Sequence, residues 1–224
     1  MYRLGLFPLR TVLLPGATLR LHIFEDRYKT LIGACLESGE PFGVVLDRNA
    51  KEVGDDLDPA GFGTTAEIGE VAHLPQGRLL IVTRGRRRFR VERVLGTKPF
   101  WSAEVSYLGE PVGPGDAATL QAIAAERFTD YLRALLALFG RELERIEMPH
   151  EAPAQSYLIA ETLQVDGLTK QRLLEMPTAI ARLRAELALL KRETARLHEM
   201  AERGVRVDAV TVERPTLPGR FSLN

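Results

Sequence analysis

The sequence has few of the residues on which several large classes of protein depend. Cys35 is its single cysteine, so no intrachain disulfide can form and a reducing compartment suffices. Its 30 basic residues equal its 30 acidic residues, which gives no general attraction to nucleic acid or anionic lipid. No stretch approaches the roughly 20 apolar residues of a membrane span, and prolines interrupt the apolar N-terminus too early for a secretory signal. We therefore expect a cytoplasmic protein.

Motifs for catalysis are also missing from the sequence. It has no Gly-x-x-x-x-Gly-Lys-Ser/Thr loop to hold nucleotide phosphates and no Gly-x-Ser-x-Gly elbow for a nucleophilic serine. Its histidines are scattered, and none has metal-ligand spacing with Cys35: His22, His73, His150 and His198. Cys35 lies in an apolar helical pattern, where cysteine is more often a core residue than a nucleophile. We therefore expect a protein that is not an enzyme and that needs neither metal nor cofactor.

The most informative segment covers residues 6–32. Short apolar strands are predicted at residues 4–9 and 18–23, separated by Pro15-Gly16. Proline presets φ for a turn and glycine accepts positive φ, so the chain can reverse there. After Glu25 an amphipathic helix is predicted, because apolar residues recur at three- to four-residue spacing: Tyr28, Leu31, Ile32 and Leu36.

This segment resembles the N-terminal substrate-recognition domain of the ATP-dependent Lon proteases. The matching residues, which we expect to be mainly structural, are Pro8, Leu9, Pro15, Gly16, Leu21, Ile23, Phe24, Glu25, Arg27 and Tyr28. Leu14 and Arg20 depart from the family pattern, in which phenylalanine and proline are usual at those positions. A full Lon protease needs an ATPase module and a Ser-Lys proteolytic domain after this one. The resemblance therefore implies a free-standing bacterial member that lacks both.

Later segments extend the resemblance over roughly nine-tenths of the chain. Residues 42–45 and 63–71 match short family strands, and residues 78–94 are predicted to form a hairpin with Gly85 at its turn. Residues 154–197 match the family's helical half. The implied fold is α+β, with a PUA-like β-barrel over residues 1–111 and an α-helical bundle with a long final helix over residues 116–203. Residues 204–224 are expected to be an extended or disordered tail.

Helix caps and apolar spacing predict the helices of the second half. Asp116 is expected to cap a helix that ends before Gly140. Thr169 is expected to cap a short helix, and Thr178 is expected to cap the long final helix. An a/d seam of about three heptads follows in that helix: Ile180, Leu183, Leu187, Leu190, Thr194, Leu197 and Ala201. Packing of this seam within its own domain is the favoured interpretation. A homo-oligomer through residues 180–201 is the alternative.

Two charged segments suggest other ligands. Between Arg84 and Arg93, a strand would place Arg86, Arg88 and Arg90 on one face, which is the best candidate for a nucleic-acid contact. A solvated strand is the favoured interpretation, because arginine is the usual basic residue of this chain. Asp56-x-Asp58-x-Ala60-Gly61, with Glu67 beyond it, follows the calcium-loop pattern without its fifth-position ligand. The neighbouring sequence does not predict two flanking helices, so an acidic surface loop is favoured there.

These features together predict a non-catalytic module that binds protein or peptide. By resemblance its ligand is an unfolded polypeptide or a dedicated protein partner. An extended segment would add to a sheet edge, or apolar side chains would be buried in a groove between barrel and bundle. The alternatives are RNA binding through the strand between Arg84 and Arg93, and an adaptor role that recruits a separate protease through the long helix.

Overall fold

The computed structural model describes residues 1–48, 58–204 and 221–223, the last three as backbone alone. In chain order the elements are β1 (Tyr2–Leu9), β2 (Thr18–Ile23), α1 (Asp26–Ser38), β3 (Phe42–Asp47), β4 (Pro59–Leu74), β5 (Arg78–Gly96), β6 (Ser102–Tyr107), α2 (Ala117–Ala137), β7 (Leu143–Ile146), α3 (Ala152–Thr162), α4 (Gly167–Glu175), α5 (Ala179–Glu202) and β8 (Phe221–Leu223). The predicted α+β class, with a long final helix, is confirmed. None of the helices in the described ranges combines the length and apolar character needed to span a bilayer.

The chain divides into two compact units, each made of separate stretches of sequence. The first contains Met1–Gly109 and Val165–Glu175, and the second contains Glu110–Gln164 and Met176–Asn224. The strands of the first unit lie in the order β2-β5-β4-β3-β1-β6, and β5 also pairs with β6, so the sheet closes into a barrel. β1 and β3 are parallel and connected through α1, whereas the other pairs are antiparallel.

The predicted hairpin with Gly85 at its turn is wrong, because β5 continues unbroken through that residue. The chain reverses instead at a 3-10 turn, Pro75–Gly77, which joins β4 to β5. Gly85 is where the loop between β1 and β2 crosses the strand. Its N–H donates to the Ala17 carbonyl and its carbonyl accepts from the Gly16 N–H, both at 2.9 Å. A Cβ on Gly85 would lie 2.3 Å from the Leu14 carbonyl oxygen, so glycine here permits close backbone approach.

The buried face of α1 differs by one residue from the predicted one. Tyr28, Leu31, Ile32 and Cys35 are buried, whereas Leu36 is 45% exposed. Cys35 lies seven residues after Tyr28, which is two helical turns, and is therefore on the same face of the helix. Leu36 is one residue further around the helix and lies outside that face. The helix ends at Gly39, whose φ of +72° is the left-handed conformation of a C-terminal cap.

The second unit is built mainly on the packing of α2 against α5. Two of the three predicted caps are present: an Asp116 carboxylate oxygen accepts from the Thr119 N–H at 3.0 Å, and the Thr178 hydroxyl accepts from the Ala181 N–H at 3.1 Å. Within the a/d seam, Ile180, Leu183, Leu190 and Leu197 are buried, Leu187 and Thr194 are half-buried, and Ala201 is exposed. Most of the seam is therefore covered within the unit. This burial agrees with the favoured interpretation of the sequence, in which the seam packs within its own domain.

The helix α4 lies in the first unit with the barrel. This differs from the expectation that residues 116–203 form one helical bundle. Its N-terminal cap is Asp166, which accepts from the Thr169 N–H at 2.8 Å, so the expected cap at Thr169 is wrong. The Gln171 amide donates to the Phe62 carbonyl on β4 at 3.2 Å. Contacts of this kind join elements that are far apart in sequence, and helix periodicity alone does not reveal them.

Two sequence expectations fall partly outside the described residues. Within the expected tail, residues 204–224, the structure describes only Gly204 and Phe221–Leu223, and the latter three pair antiparallel with β7 as β8. Asp56 of the calcium-like segment lies outside the described ranges. The other carboxylates of that pattern bind arginines: Asp58 accepts from Arg48 at 2.7 Å, and Glu67 pairs with Arg86 at 2.5 Å. These two carboxylates are neutralised by guanidinium groups.

Candidate functional site

The family-signature residues separate into a core group and a surface group. Pro8, Leu21, Ile23 and Tyr28 are buried, and Tyr28 stacks on Phe7 with ring centroids 3.9 Å apart. Pro15 and Gly16 form the loop that crosses β5, with Gly16 at φ +86°. Leu9 is half-buried. These residues therefore lie in the core or in the crossing loop, and a mainly structural role for the signature stays a prediction.

Glu25 and Arg27 shape the connection between β2 and α1. Arg27 Nε donates to a Glu25 carboxylate oxygen at 2.8 Å, and its guanidinium carbon lies 4.7 Å from the centre of the Tyr28 ring. Burial raises the pKa of the Tyr28 hydroxyl, and the neighbouring guanidinium opposes that rise. Both side chains of the ion pair are partly exposed, so it fixes geometry more than it adds stability.

Phe24 is the one apolar signature residue with a largely exposed side chain. It is 58% exposed and directly follows β2. Its ring lies 5.7 Å from that of His22, and His22 is paired across the sheet with Leu80, which is also exposed. Val82 is half-buried two residues further along β5. We refer to His22, Phe24, Leu80 and Val82 as the Phe24 face.

The Phe24 face lies beside an open strand edge. β2 pairs with β5 on one side, and among the described residues no strand pairs with its other side. An unpaired edge presents backbone N–H and C=O groups at every second residue. The edge and the exposed apolar side chains together form a surface suited to an extended peptide.

The arginines predicted as a nucleic-acid face do not form one exposed ridge. Arg88 is 2% exposed, and its guanidinium donates to the carbonyls of Leu174 and Gly109 at 2.6 and 3.1 Å. Arg86 and Arg90 are exposed but ion-paired, with Glu67 and Glu92 respectively. A register shift between β4 and β5 in this region breaks the simple alternation of faces. The prediction that Arg86, Arg88 and Arg90 share a solvent face is wrong.

The described ranges contain neither a metal-binding cluster nor a reactive cysteine. No group of three or more His, Cys, Asp or Glu side chains there is placed to hold a metal ion. Cys35 is buried, and burial raises the pKa of its thiol to about 11. A thiol with that pKa is almost entirely protonated near neutral pH and is a poor nucleophile.

A second exposed apolar feature lies between α2 and α5, in the second unit. It is a groove of about 490 Å³ that we call the α2–α5 groove. Its residues include Ile123, Arg127, Asp130, Leu187, Lys191 and His198. Ile123 is 42% exposed although the sequence places it on the apolar stripe of α2. Helical periodicity places Leu187 on the apolar seam of α5 but does not show that it borders a groove.

The second unit also encloses a charged cluster that the sequence did not indicate. Arg182 and Glu186 are completely buried, one turn apart on α5. Arg182 Nε donates to the Ser156 hydroxyl at 2.6 Å, and that hydroxyl donates to Glu186 at 2.9 Å. The Arg182 guanidinium lies 3.8 Å from the centre of the Tyr157 ring. Burial raises the pKa of the Glu186 carboxyl to about 8, against the opposing effects of Ser156 and Arg182.

Comparisons with known proteins agree with the resemblance seen in the sequence. The family model described as the ATP-dependent protease La (LON) substrate-binding domain matches residues 3–192. A Lon protease of Cytophaga hutchinsonii is 25% identical over 207 residues, which are 85% of this chain and 24% of that protein. Lon protease 4 of Sorangium cellulosum is 33% identical over 119 residues, 52% of this chain and 15% of that protein. This chain thus spans at most about a quarter of these curated relatives.

Solved structures show the same fold. A Lon N-terminal domain protein from Xanthomonas campestris is 30% identical, with a TM-score of 0.62 over 84% of this chain and 98% of that one. The N-terminal domain of a Mycobacterium avium complex Lon protease is 19% identical, with a TM-score of 0.60 over 85% of this chain and 98% of that one, and it supports the fold alone. Because the family model covers most of the sequence, this chain belongs to the family of the ATP-dependent protease La (Lon) substrate-binding domain.

Proposed function

We propose that this chain is a non-catalytic module that binds extended, apolar segments of protein substrates. The observation that carries the proposal is the exposed side chain of Phe24 beside the open edge of β2. A peptide strand would add to β2 through backbone hydrogen bonds, and alternate side chains would cover Phe24 and Leu80. Membership of a substrate-binding family supports a polypeptide ligand, either an unfolded protein or one dedicated partner.

The size of the Phe24 face predicts weak binding at a single site. Covering the exposed part of one phenylalanine buries roughly 100 Å², which contributes about 2.5 kcal/mol at ~25 cal/mol/Å². Backbone hydrogen bonds add modestly, because each replaces a bond to water. Ordering a flexible peptide opposes both gains. Such a site would release substrates readily, which suits a module that delivers a polypeptide to a separate proteolytic activity.

The proposal is tested by fluorescence anisotropy with a labelled, reduced and alkylated polypeptide that cannot fold. Phe24→Ser is expected to weaken binding at least about tenfold, because the largest exposed apolar side chain of the face is lost. Tyr2→Ser is the matched control, since Tyr2 is 57% exposed on the same unit but lies outside the Phe24 face. Equal effects of the two substitutions would contradict the assigned site.

The role of the strand edge is tested with short apolar peptides. A peptide methylated at alternate backbone nitrogens cannot complete a strand pairing and is expected to bind more weakly than its unmethylated form. Labelled single-stranded RNA is titrated in parallel at low and moderate salt. Steeply salt-dependent RNA binding without polypeptide binding would overturn the proposal, because it would indicate neutralisation of phosphates.

A further inference from the structure

The α2–α5 groove has the shape of a docking site for a helix. Its α5 wall includes Leu187, Leu190 and His198, so it covers three turns or about 16 Å of helix. Ile123 on α2 is 42% exposed, and Leu187 is half-buried, so the groove offers apolar surface that its own unit does not fully cover. An amphipathic helix inserts apolar side chains at i, i+3 or i+4 and i+7 into a groove of this length.

The charges around the groove are predominantly positive. Arg127 and Lys191 are its cationic lining residues, and among the described residues Asp130 is its one acidic lining residue. Asp130 lies 3.7 Å from the Arg133 guanidinium, which offsets its charge. Within the described part of the chain, no carboxylate forms an ion pair with Arg127 or Lys191. A ligand with carboxylates beside its apolar stripe would therefore be complementary to this rim.

We propose that the α2–α5 groove binds an amphipathic helix of a partner protein whose apolar stripe is flanked by acidic residues. A symmetric contact with a second copy would bring the same cationic rim against itself and is disfavoured. The inference is independent of the proposed function, because it concerns the other unit and a helical ligand in place of an extended one. It would give the module a second contact, through which it is held by a partner while its first unit binds substrate.

The test uses the full chain and two labelled helical peptides of about 15 residues. Both peptides carry leucines at helical spacing, and they differ in having glutamates or lysines beside the stripe. The glutamate peptide is expected to bind roughly five- to tenfold more tightly than the lysine peptide, the difference that a few exposed ion pairs supply. Amide chemical shifts in an isotope-labelled chain are expected to change on α2 and α5.

Exposed residues of the groove provide variants that preserve the fold. Lys191→Glu is expected to reverse the preference between the two peptides, and Ile123→Ser to weaken both. Arg184→Glu and Leu168→Ser are the controls, since both residues are exposed and outside the groove. All four variants are expected to bind the extended polypeptide as the parent chain does. That readout separates failure of this inference from failure of the proposed function.

Three outcomes would overturn the inference. The first is equal binding of the two peptides, or binding unaffected by Lys191→Glu. The second is self-association of the chain that Lys191→Glu abolishes, because the groove would then hold a second copy. The third is peptide binding that appears only after residues 205–224 are removed, because the groove would then be occupied by the chain's own C-terminal segment.

Discussion

Substitution of Gly85 by alanine is expected to destabilise the barrel strongly. The new Cβ would lie 2.3 Å from the Leu14 carbonyl oxygen, about 1 Å closer than a normal contact. The loop must move away, at a cost of roughly 1–3 kcal/mol for overpacking. The movement also weakens the two backbone hydrogen bonds at Gly85, each of about 1 kcal/mol. Alanine also lowers the entropy of the unfolded chain, which offsets up to about 1 kcal/mol of this cost. The free energy of unfolding is therefore expected to fall by about 3 kcal/mol.

Trp101 makes this loss measurable within the first unit. It is the single tryptophan of the chain and packs against the barrel core. Urea unfolding followed by its fluorescence is therefore expected to show a lower midpoint for Gly85→Ala. The control is Gly96→Ala in the same strand, because a Cβ there meets nothing within 4 Å. Stabilities of the two variants within about 1 kcal/mol of each other would refute the explanation from close approach.

Three further predictions concern buried groups. Leu190→Ala is expected to destabilise the second unit by about 3 kcal/mol and Leu187→Ala by about 1 kcal/mol, measured by helical circular dichroism in urea, because Leu190 is buried and Leu187 half-buried. The folded pKa of Glu186, about 8, lies above its unfolded value. Its contribution to the free energy of unfolding is therefore fully present below about pH 4.5 and is lost as the pH rises towards 8. Urea titrations of Glu186→Gln are expected to show a flatter dependence on pH. The Cys35 thiol, with its pKa of about 11, should react with iodoacetamide at pH 8 only after unfolding, as followed by mass spectrometry.

Local signals predicted most elements of the fold because their causes are local. Asp116 and Thr178 cap helices through bonds to an amide three residues ahead, so a short stretch of sequence contains both partners. The alternation in β2 and the helical spacing in α1 arise in the same way. Gly85 was misassigned because the backbone that approaches it lies about 70 residues earlier in the sequence, and a glycine signal does not distinguish a turn from a close approach.

The candidate site was less predictable because it depends on which side chains are exposed to solvent. Phe24 belongs to the same apolar signature as Ile23, and no local pattern separates the exposed side chain from the buried one. Arg88 stands among arginines that face solvent, yet a register shift and a carbonyl acceptor on α4 place it inside. Both outcomes are set by pairings between distant strands and helices, which a single sequence does not specify.

Because the two units alternate along the chain, the protein cannot be cut into one fragment per unit at a single position, and the first unit is not complete early in synthesis. A fragment that stops at Gly109, intended to isolate the barrel, would lack Leu174 and so remove a carbonyl acceptor from the buried guanidinium of Arg88. During synthesis the first unit cannot be completed until Glu175 has left the ribosome, by which point the residues of α2 and α3 have already been synthesised. A fragment that contains the whole first unit would therefore need α4 joined to β6 by a loop that replaces residues 110–164.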